Sequence, residues 1–348
     1  MSRLHEFKEL FNQITLAWER GEQAVLVILS DVKGSAYRLP GTKMVMTSDG
    51  QMYGTISGGC LENDLYEWAQ KVFETKTLMT HRYDLSENEI WSLGIGCKGN
   101  LEFLFVPINP QDDFWQKTHG LLSEEQAFTM MIDLSTGKSI LIDANSTLYG
   151  NDVLPEEVIN KGKAVANRQT RAEIYIYDDR RFYIDAVRPS ERLIVAGAGR
   201  DAVPVVDLAN RAGFAVTVLD ARSHINNSRN FLDVAHLIKE PEEMEKGQLE
   251  NSWWIIMNHH QLRDEAALRL AIESNPRYIG VLGPIYRTNE MLANIGYSMD
   301  SGPIHSPVGL DIGAETSDEV AISIVSEIMS VRAGRIPRLL HGKVKIHE

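Results

Sequence analysis

A short apolar strand at 193–196 runs directly into Gly197-Ala198-Gly199-Arg200-Asp201-Ala202, and the apolar spacing that follows is helical. This strand–turn–helix fits G-x-G-x-x-G/A with Ala202 in the third place. Gly197 permits the tight turn, Gly199 lets a ligand approach the backbone, and Ala202 lets the helix pack closely on the strand. Asp220 closes the next strand, at about the 20-residue spacing of a carboxylate that receives a ribose hydroxyl. Further strands are expected at 215–219, 234–238, 253–257 and 278–282, and helices at 201–212, 262–273, 285–295 and 316–333. Strands and helices alternating at these lengths predict βαβ units, so the region from about Glu191 to Arg335 should be a doubly wound, mostly parallel α/β sheet.

Ligands of such sheets bind outside the carboxyl ends of the strands. Asn258-His259-His260 stands there after the fourth strand, where His259 or His260 can donate to a phosphate or carry a proton. Gly283, in Gly280-Val281-Leu282-Gly283 after the fifth strand, suits close backbone approach or a plain turn. Asp201, in the first helical turn, is expected to cap the positive helix end itself and so to oppose a pyrophosphate. Two readings stay open here: a nucleotide site, with NAD(P) as the ligand, and a sheet of this type that holds no dinucleotide.

The N-terminal half reads differently. Phe7, Leu10, Phe11, Ile14 and Trp18 give a helix over 5–18, followed by strands at 24–29, 43–47 and 52–56, a helix over 61–74 and a strand at 101–106. Three glycine-rich segments interrupt this pattern. Gly34 to Gly41 holds Arg38, a fit partner for a phosphate or a pterin. Gly54 to Glu62 holds Gly58, Gly59 and Cys60, with the cysteine at the start of a helix, where thiolates and anions are favoured. Leu93 to Gly99 holds Gly96 and Cys97 beside Lys98. These cysteines form neither a CxxC pair nor a zinc site with a second ligand pair at the right spacing. Each is either a small buried hydrophobe or part of a ligand- or sulfur-handling loop. Between the halves, 111–189 reads as a β-rich continuation of the first domain, with strands at 128–134, 139–143, 172–177 and 181–186 and a hairpin turn at Asp178-Asp179.

At 348 residues the chain is long enough for two or three domains, and the boundary is expected at 189/190. A net charge of −13 argues against a chain-wide nucleic-acid surface. Two cysteines are too few for a secreted disulfide scaffold. The N-terminus lacks the apolar stretch of a signal peptide, and no run of roughly 18 apolar residues suggests a membrane span. A cytoplasmic protein is expected.

Taken together, the segments resemble the XdhC/CoxI family. Gly34-Ser35 with Arg38 and Gly41, then Gly54 through Glu62, are similar to its N-terminal signature, and Gly94-Ile95-Gly96-Cys97 to its second cysteine loop. Gly197 through Pro204 is similar to its C-terminal Rossmann start, and Ser306 through Ala314, with Glu319 and Glu327, to its closing segment. Ala36-Tyr37 departs from the pattern where a small hydroxyl residue and proline are expected, and Pro284 departs where serine is frequent. The resemblance implies an N-terminal α+β domain of the XdhC/CoxI type followed by a Rossmann-like, doubly wound parallel sheet. It implies an accessory protein of xanthine dehydrogenase or a related molybdenum hydroxylase in purine catabolism. Such a protein binds the molybdenum cofactor (molybdopterin) transiently, supports its sulfuration and delivers it to the apo-enzyme. No catalytic residue and no resident metal is assigned, and two cysteines cannot hold even one four-cysteine iron–sulfur cluster. The cofactor contacts would be Arg38, Gly58, Gly59, Cys60, Gly96, Cys97, Gly197, Gly199, Ala202, Asp220, His259 and Gly283. Partners would be the client enzyme, a cysteine desulfurase and a second copy of the chain, but neither nucleic acid nor membrane. The alternatives are an NAD(P)-dependent oxidoreductase using His259 or His260, and a docking subunit without catalytic activity.

Overall fold

The computed structural model describes residues 2–34, 38–59, 61–84, 99–150, 153–167, 172–245 and 247–342. The chain divides into two compact units, Met1–Pro189 with Leu340–Glu348, and Ser190–Leu339.

The elements of the first unit are, in chain order, β1 (Ser2–Arg3), α1 (Leu4–Glu19), β2 (Ala24–Gly34), β3 (Lys43–Thr47), β4 (Met52–Tyr53), α2 (Glu62–Thr75), β5 (Met79–Asp84), β6 (Gly99–Ile108), α3 (Asp113–Ser123), β7 (Phe128–Asp133), β8 (Ser139–Asp143), β9 (Leu148–Tyr149), α4 (Glu156–Asn167), β10 (Glu173–Tyr177) and β11 (Arg180–Arg188). They build two sheets. One is antiparallel, in the order β4-β3-β2-β6-β5. The other runs β1-β11-β7-β8-β9, with β10 paired to β11. The two-residue strand period sorts β2 between two cores. Val25, Val27 and Leu29 pack with Leu65, Ala69 and Val72 of α2. Leu26 and Ile28 join a core formed with α1, α3 and, from the second sheet, Met130, Ile132, Leu141 and Tyr183. A strand buried on both faces reads as a continuous apolar run, which is what 24–29 displays. The 178–179 turn closes a tight hairpin: Tyr177 pairs with Arg180, and Asp178 and Asp179 stand at φ 50° and 55°, the conformation of a two-residue type I′ turn.

The second unit holds β12 (Arg192–Ala196), α5 (Ala202–Arg211), β13 (Ala215–Leu219), β14 (Ala235–Leu237), β15 (Trp253–Ile256), α6 (Gln261–Glu273), β16 (Tyr278–Val281), α7 (Ile285–Asn294), β17 (Ile304–His305) and α8 (Ser317–Arg332). Its sheet runs β14-β13-β12-β15-β16-β17 and every pair is parallel. Alternate residues of β12 again feed opposite cores. Leu193 and Val195 pack with Val205, Val206 and Ala209 of α5 and with Ile324 and Ile328 of α8. Ile194 and Ala196 pack with Leu268 and Ala271 of α6 and Met291 and Leu292 of α7. Helices therefore cover both faces, as a doubly wound sheet requires.

Some local expectations are revised. The strand expected at 52–56 ends at Tyr53, because the chain then wraps around the Glu62 carboxylate. The 111–189 stretch contains α3 and α4 besides its strands. Among the described residues no helix is long and apolar enough to cross a membrane.

Candidate functional site at the carboxyl edge of the parallel sheet

Strand order reverses between β12 and β15, so the connections leaving these neighbours diverge and open a crevice at their carboxyl ends. The turn after β12 presses on the segment after β15. Gly197 stands at φ +120°, and a Cβ there would lie 2.5 Å from the carbonyl oxygen of Met257 and 2.9 Å from the Cα of Asn258. The Gly197 N–H donates to Leu219 O at 3.0 Å, and the Met257 N–H to Ala196 O at 2.9 Å. Only glycine meets both the conformation and the space. Ala202, fully buried, packs in the core beneath α5.

Asp220 directly follows β13, almost fully buried, and its carboxylate is engaged within the protein. Oδ2 accepts the Ala198 N–H at 2.9 Å and an Arg222 NH2 at 2.6 Å, while Oδ1 accepts the Arg222 N–H at 3.0 Å and its Nε at 2.9 Å. Burial pushes its pKa up. The Arg222 guanidinium and the amides of Arg222 and Ala198 outweigh burial and hold the carboxyl below its usual range. The carboxylate expected to receive a ribose hydroxyl thus serves the glycine turn itself.

Asp201 corrects a second expectation. It occupies the N-cap position of α5, but its side chain makes no capping hydrogen bond. Oδ2 lies 2.6 Å from Nε2 of His259, and Oδ1 stands 2.5 Å from where a Gly199 Cβ would be. The pair therefore links the connections leaving β12 and β15, with one carboxylate oxygen over Gly199. His259 holds the left-handed conformation at φ +55°, sparsely used by non-glycine residues. Its neighbour Asn258 is anchored through backbone N–H and Nδ2 to Asp264 Oδ1, at 2.9 and 3.1 Å. Asp264 Oδ2 accepts from Arg287 NH2 at 2.5 Å, and Arg287 NH1 lies 3.4 Å from the position of a Gly283 Cβ. His260 is the N-cap residue of α6 and makes no side-chain cap bond.

In the closing segment, Glu327 is nearly buried. It accepts from Tyr278 Oη at 3.0 Å and from the Gly309 N–H, and its Oε1 lies 2.6 Å from His305 Nδ1. Glu319 completes a capping box with Thr316 at the start of α8. Both carboxylates hold the closing segment in place.

In the first unit, Glu62 organises the Gly54–Glu62 loop. Its carboxylate accepts the backbone N–H groups of Ile56 at 3.3 Å, Ser57 at 3.0 Å and Leu61 at 3.2 Å, together with the Ser57 hydroxyl. Burial opposes its ionisation, but the Ser57 hydroxyl and the amides of Ser57, Gly59 and Glu62 prevail and bring its pKa down to about 2. Several amides expected to hold an anion are therefore already taken by a protein carboxylate. Gly58 and Gly59 follow one another at φ +79° and +98°, and among the described residues a Cβ on Gly59 would meet nothing within 4 Å. Arg38 is half-buried. Cys60, Gly96 and Cys97 lie outside the described residues. A cavity of about 660 Å³, lined by Trp18, Phe73, Trp115 and Asn109 among others, opens elsewhere in this unit and includes none of the expected cofactor contacts. Among the described residues no group of three or more His, Cys, Asp or Glu side chains is placed to hold a metal ion.

Two family models match the chain: the XdhC and CoxI family over residues 17–84 and the XdhC Rossmann domain over residues 193–328. Over 320 residues, covering 90% of this chain and 94% of the relative, it is 30% identical to a probable xanthine dehydrogenase subunit of Bacillus subtilis (strain 168). The chain belongs to the XdhC and CoxI family. The molybdenum cofactor insertion chaperone PaoD of Escherichia coli (strain K12) is 25% identical over 322 residues, with 90% of this chain and 84% of PaoD covered. The crystal structure of a xanthine dehydrogenase from Bacillus halodurans matches with a TM-score of 0.77 and 27% identity, covering 98% of each chain. In this XdhC and CoxI family chain, the Rossmann match spans the crevice from β12 to Glu327, and the other match spans the Glu62 loop. Asp264 and Arg287 are the edge residues that sequence reasoning missed, whereas Asp201 was expected to oppose a pyrophosphate and Arg222 to offset it. Asp264 and Arg287 carried no motif signal. Arg222 carried one, two positions after the ribose-type carboxylate.

Proposed function

We propose that this chain is an accessory protein of a xanthine dehydrogenase or related molybdenum hydroxylase, which takes up the molybdenum cofactor, supports its sulfuration and hands it to the apo-enzyme. The observation that carries the reading is full-length likeness: PaoD, named as an insertion chaperone, and the xanthine dehydrogenase subunit of B. subtilis each align with 90% of the chain, through both units. The cofactor is cargo here, not a resident group. The chain's contribution is to bind and shield it.

The space in front of Gly59, clear of the other described residues, supports ligand approach in the first unit. Cys60 and Cys97 are assigned to the sulfur and metal end of the cargo, and Arg38 to its pterin or phosphate. Gly197, Gly199, His259 and Gly283 form the rim of the crevice in the second unit. In this reading the chain works as a homodimer in the cytoplasm, with a cysteine desulfurase as sulfur donor. The engagement of Asp220 by Arg222 speaks against an NAD-dependent oxidoreductase, which uses that carboxylate for the ribose.

The test is purification of the chain from a host that makes the cofactor, followed by metal analysis and pterin fluorescence after oxidation. Incubation with the apo-form of a molybdenum hydroxylase then measures activation. Molybdenum and pterin in comparable amounts, and activation above that given by free cofactor, are expected. Absence of both pterin and activation overturns the reading.

A further inference from the structure

A diphosphate bound at a Rossmann turn lies over the second glycine and takes the free amides of the first helical turn. In this chain the space over the second glycine holds Asp201 Oδ1, at 2.5 Å from the position of a Gly199 Cβ. The carboxylate is held there on its other side by His259 at 2.6 Å. His259 is tethered in turn, because Asn258 is fixed through two hydrogen bonds to buried Asp264, and Asp264 is fixed to Arg287. The nearby cations relieve the conflict only in part. Arg222 is committed to Asp220 through Nε and NH2, and Arg200 is exposed, so its charge is screened by solvent more than that of the Asp201 carboxylate. His259, the imidazole donor at this point, has Nε2 turned to Asp201.

We propose that the Asp201–His259 pair is a selectivity filter: it keeps nucleoside diphosphates off the Gly197–Ala202 turn and reserves the crevice for ligands that bring a neutral or hydrogen-bond-donating group to that point. The ribose side agrees independently for NADH, since the Asp220 carboxylate is filled by Ala198 and Arg222 and leaves a ribose 2′-hydroxyl without its usual acceptor. Two like charges a few ångströms apart near a protein surface cost between about fivefold and several hundredfold in affinity. Removing the Asp201 charge while keeping its shape should return that factor.

The filter does not depend on the cofactor-delivery reading, because its probes are NADH and ADP and no molybdenum cofactor is involved. Calorimetric titration of the full chain with each probe is the experiment, on the wild type, Asp201→Asn and Asp201→Ser. Asp201 is partly exposed, and circular dichroism melts of both variants establish that they fold. The wild type should bind both probes with Kd weaker than ~1 mM, and at least one variant should gain tenfold or more for NADH or ADP. A wild-type Kd below ~10 μM for either probe, or no tenfold gain in either folded variant, overturns the proposal.

Discussion

Asp264 on α6 and Arg287 on α7 meet at 2.5 Å, and the same carboxylate holds the backbone N–H of Asn258, the residue before His259. Asp264 is nearly inaccessible, with a side chain 2% exposed. Asp264→Ala would leave a guanidinium and an amide without their acceptor, at a cost of about 3–5 kcal/mol, the range found when one partner of a buried pair is removed. Asp264→Asn keeps one acceptor oxygen and should cost clearly less. Urea unfolding of the three proteins checks the order.

Lys43 and Asp185 form the corresponding buried pair in the first unit, with side chains 4% and 0% exposed. Lys43 also donates to Gly41 O at 3.0 Å, and Tyr183 donates to Asp185 Oδ2 at 3.1 Å. Burial raises the Tyr183 hydroxyl pKa well above its ordinary value, so it stays a donor. Breaking the pair with Lys43→Met should cost about 3–5 kcal/mol. The triple replacement Lys43→Met, Tyr183→Phe, Asp185→Leu should recover most of that loss, because it removes the desolvated charges with the pair. A triple variant less stable than the single one in urea would mean that the pair is a net stabiliser.

Glu62 gives a pH signature. Its folded pKa of about 2 lies below the ordinary carboxyl value, so its contribution is present above about pH 4.5 and is lost as pH falls toward 2. The stability difference between wild type and Glu62→Gln should be level above pH 5 and shrink steadily below it. Chemical denaturation at a series of pH values measures this. A difference that grows on acidification would contradict the assignment of the loop amides to an ionised Glu62.

The two turn glycines should respond differently to alanine. At Gly197 the added methyl meets backbone atoms of Met257 and Asn258 at a left-handed φ, so Gly197→Ala should destabilise by several kcal/mol or prevent folding. At Gly199 it meets one side chain rather than backbone, so Gly199→Ala should cost about 1 kcal/mol, the worth of the partly exposed Asp201–His259 contact that it displaces. Thermal melts of the two variants test the contrast.

Five of the six strands of the parallel sheet were legible in the sequence, because its central strands are buried on both faces and its helices are bounded by turn signals, whereas the two-residue edge strand Ile304–His305 was not expected. Strand 215–219 falls where expected, and the helix expected at 262–273 begins one residue earlier. The antiparallel half was harder. The helix Asp113–Ser123 had its Asp112 cap and buried Phe114, Trp115, Thr118, Leu121 and Leu122 at helical spacing, yet the surrounding strands masked it. The helix Glu156–Asn167 was hidden by Gly162, whose lack of a side chain admits Met131 Sδ, 2.4 Å from its Cβ position. At the site, the glycine turn and the Asn258-His259-His260 segment were visible as local motifs. The partnerships were not, since Asp201 meets His259 58 residues away and Asp264 meets Arg287 23 residues away. Local spacing carries no record of such pairings, so the sequence suggested an Asp201 that caps its own helix where the folded chain turns it toward an imidazole.

The parallel sheet ends in β14 and β17, three and two residues long. A sheet edge recruits other chains through its row of unpaired N–H and C=O groups, and a row this short offers little to grow on. The six-stranded sheet is therefore poorly suited to extension by strand addition from a neighbour. A second copy, or a client protein, would have to meet this unit through side chains on its helices and loops.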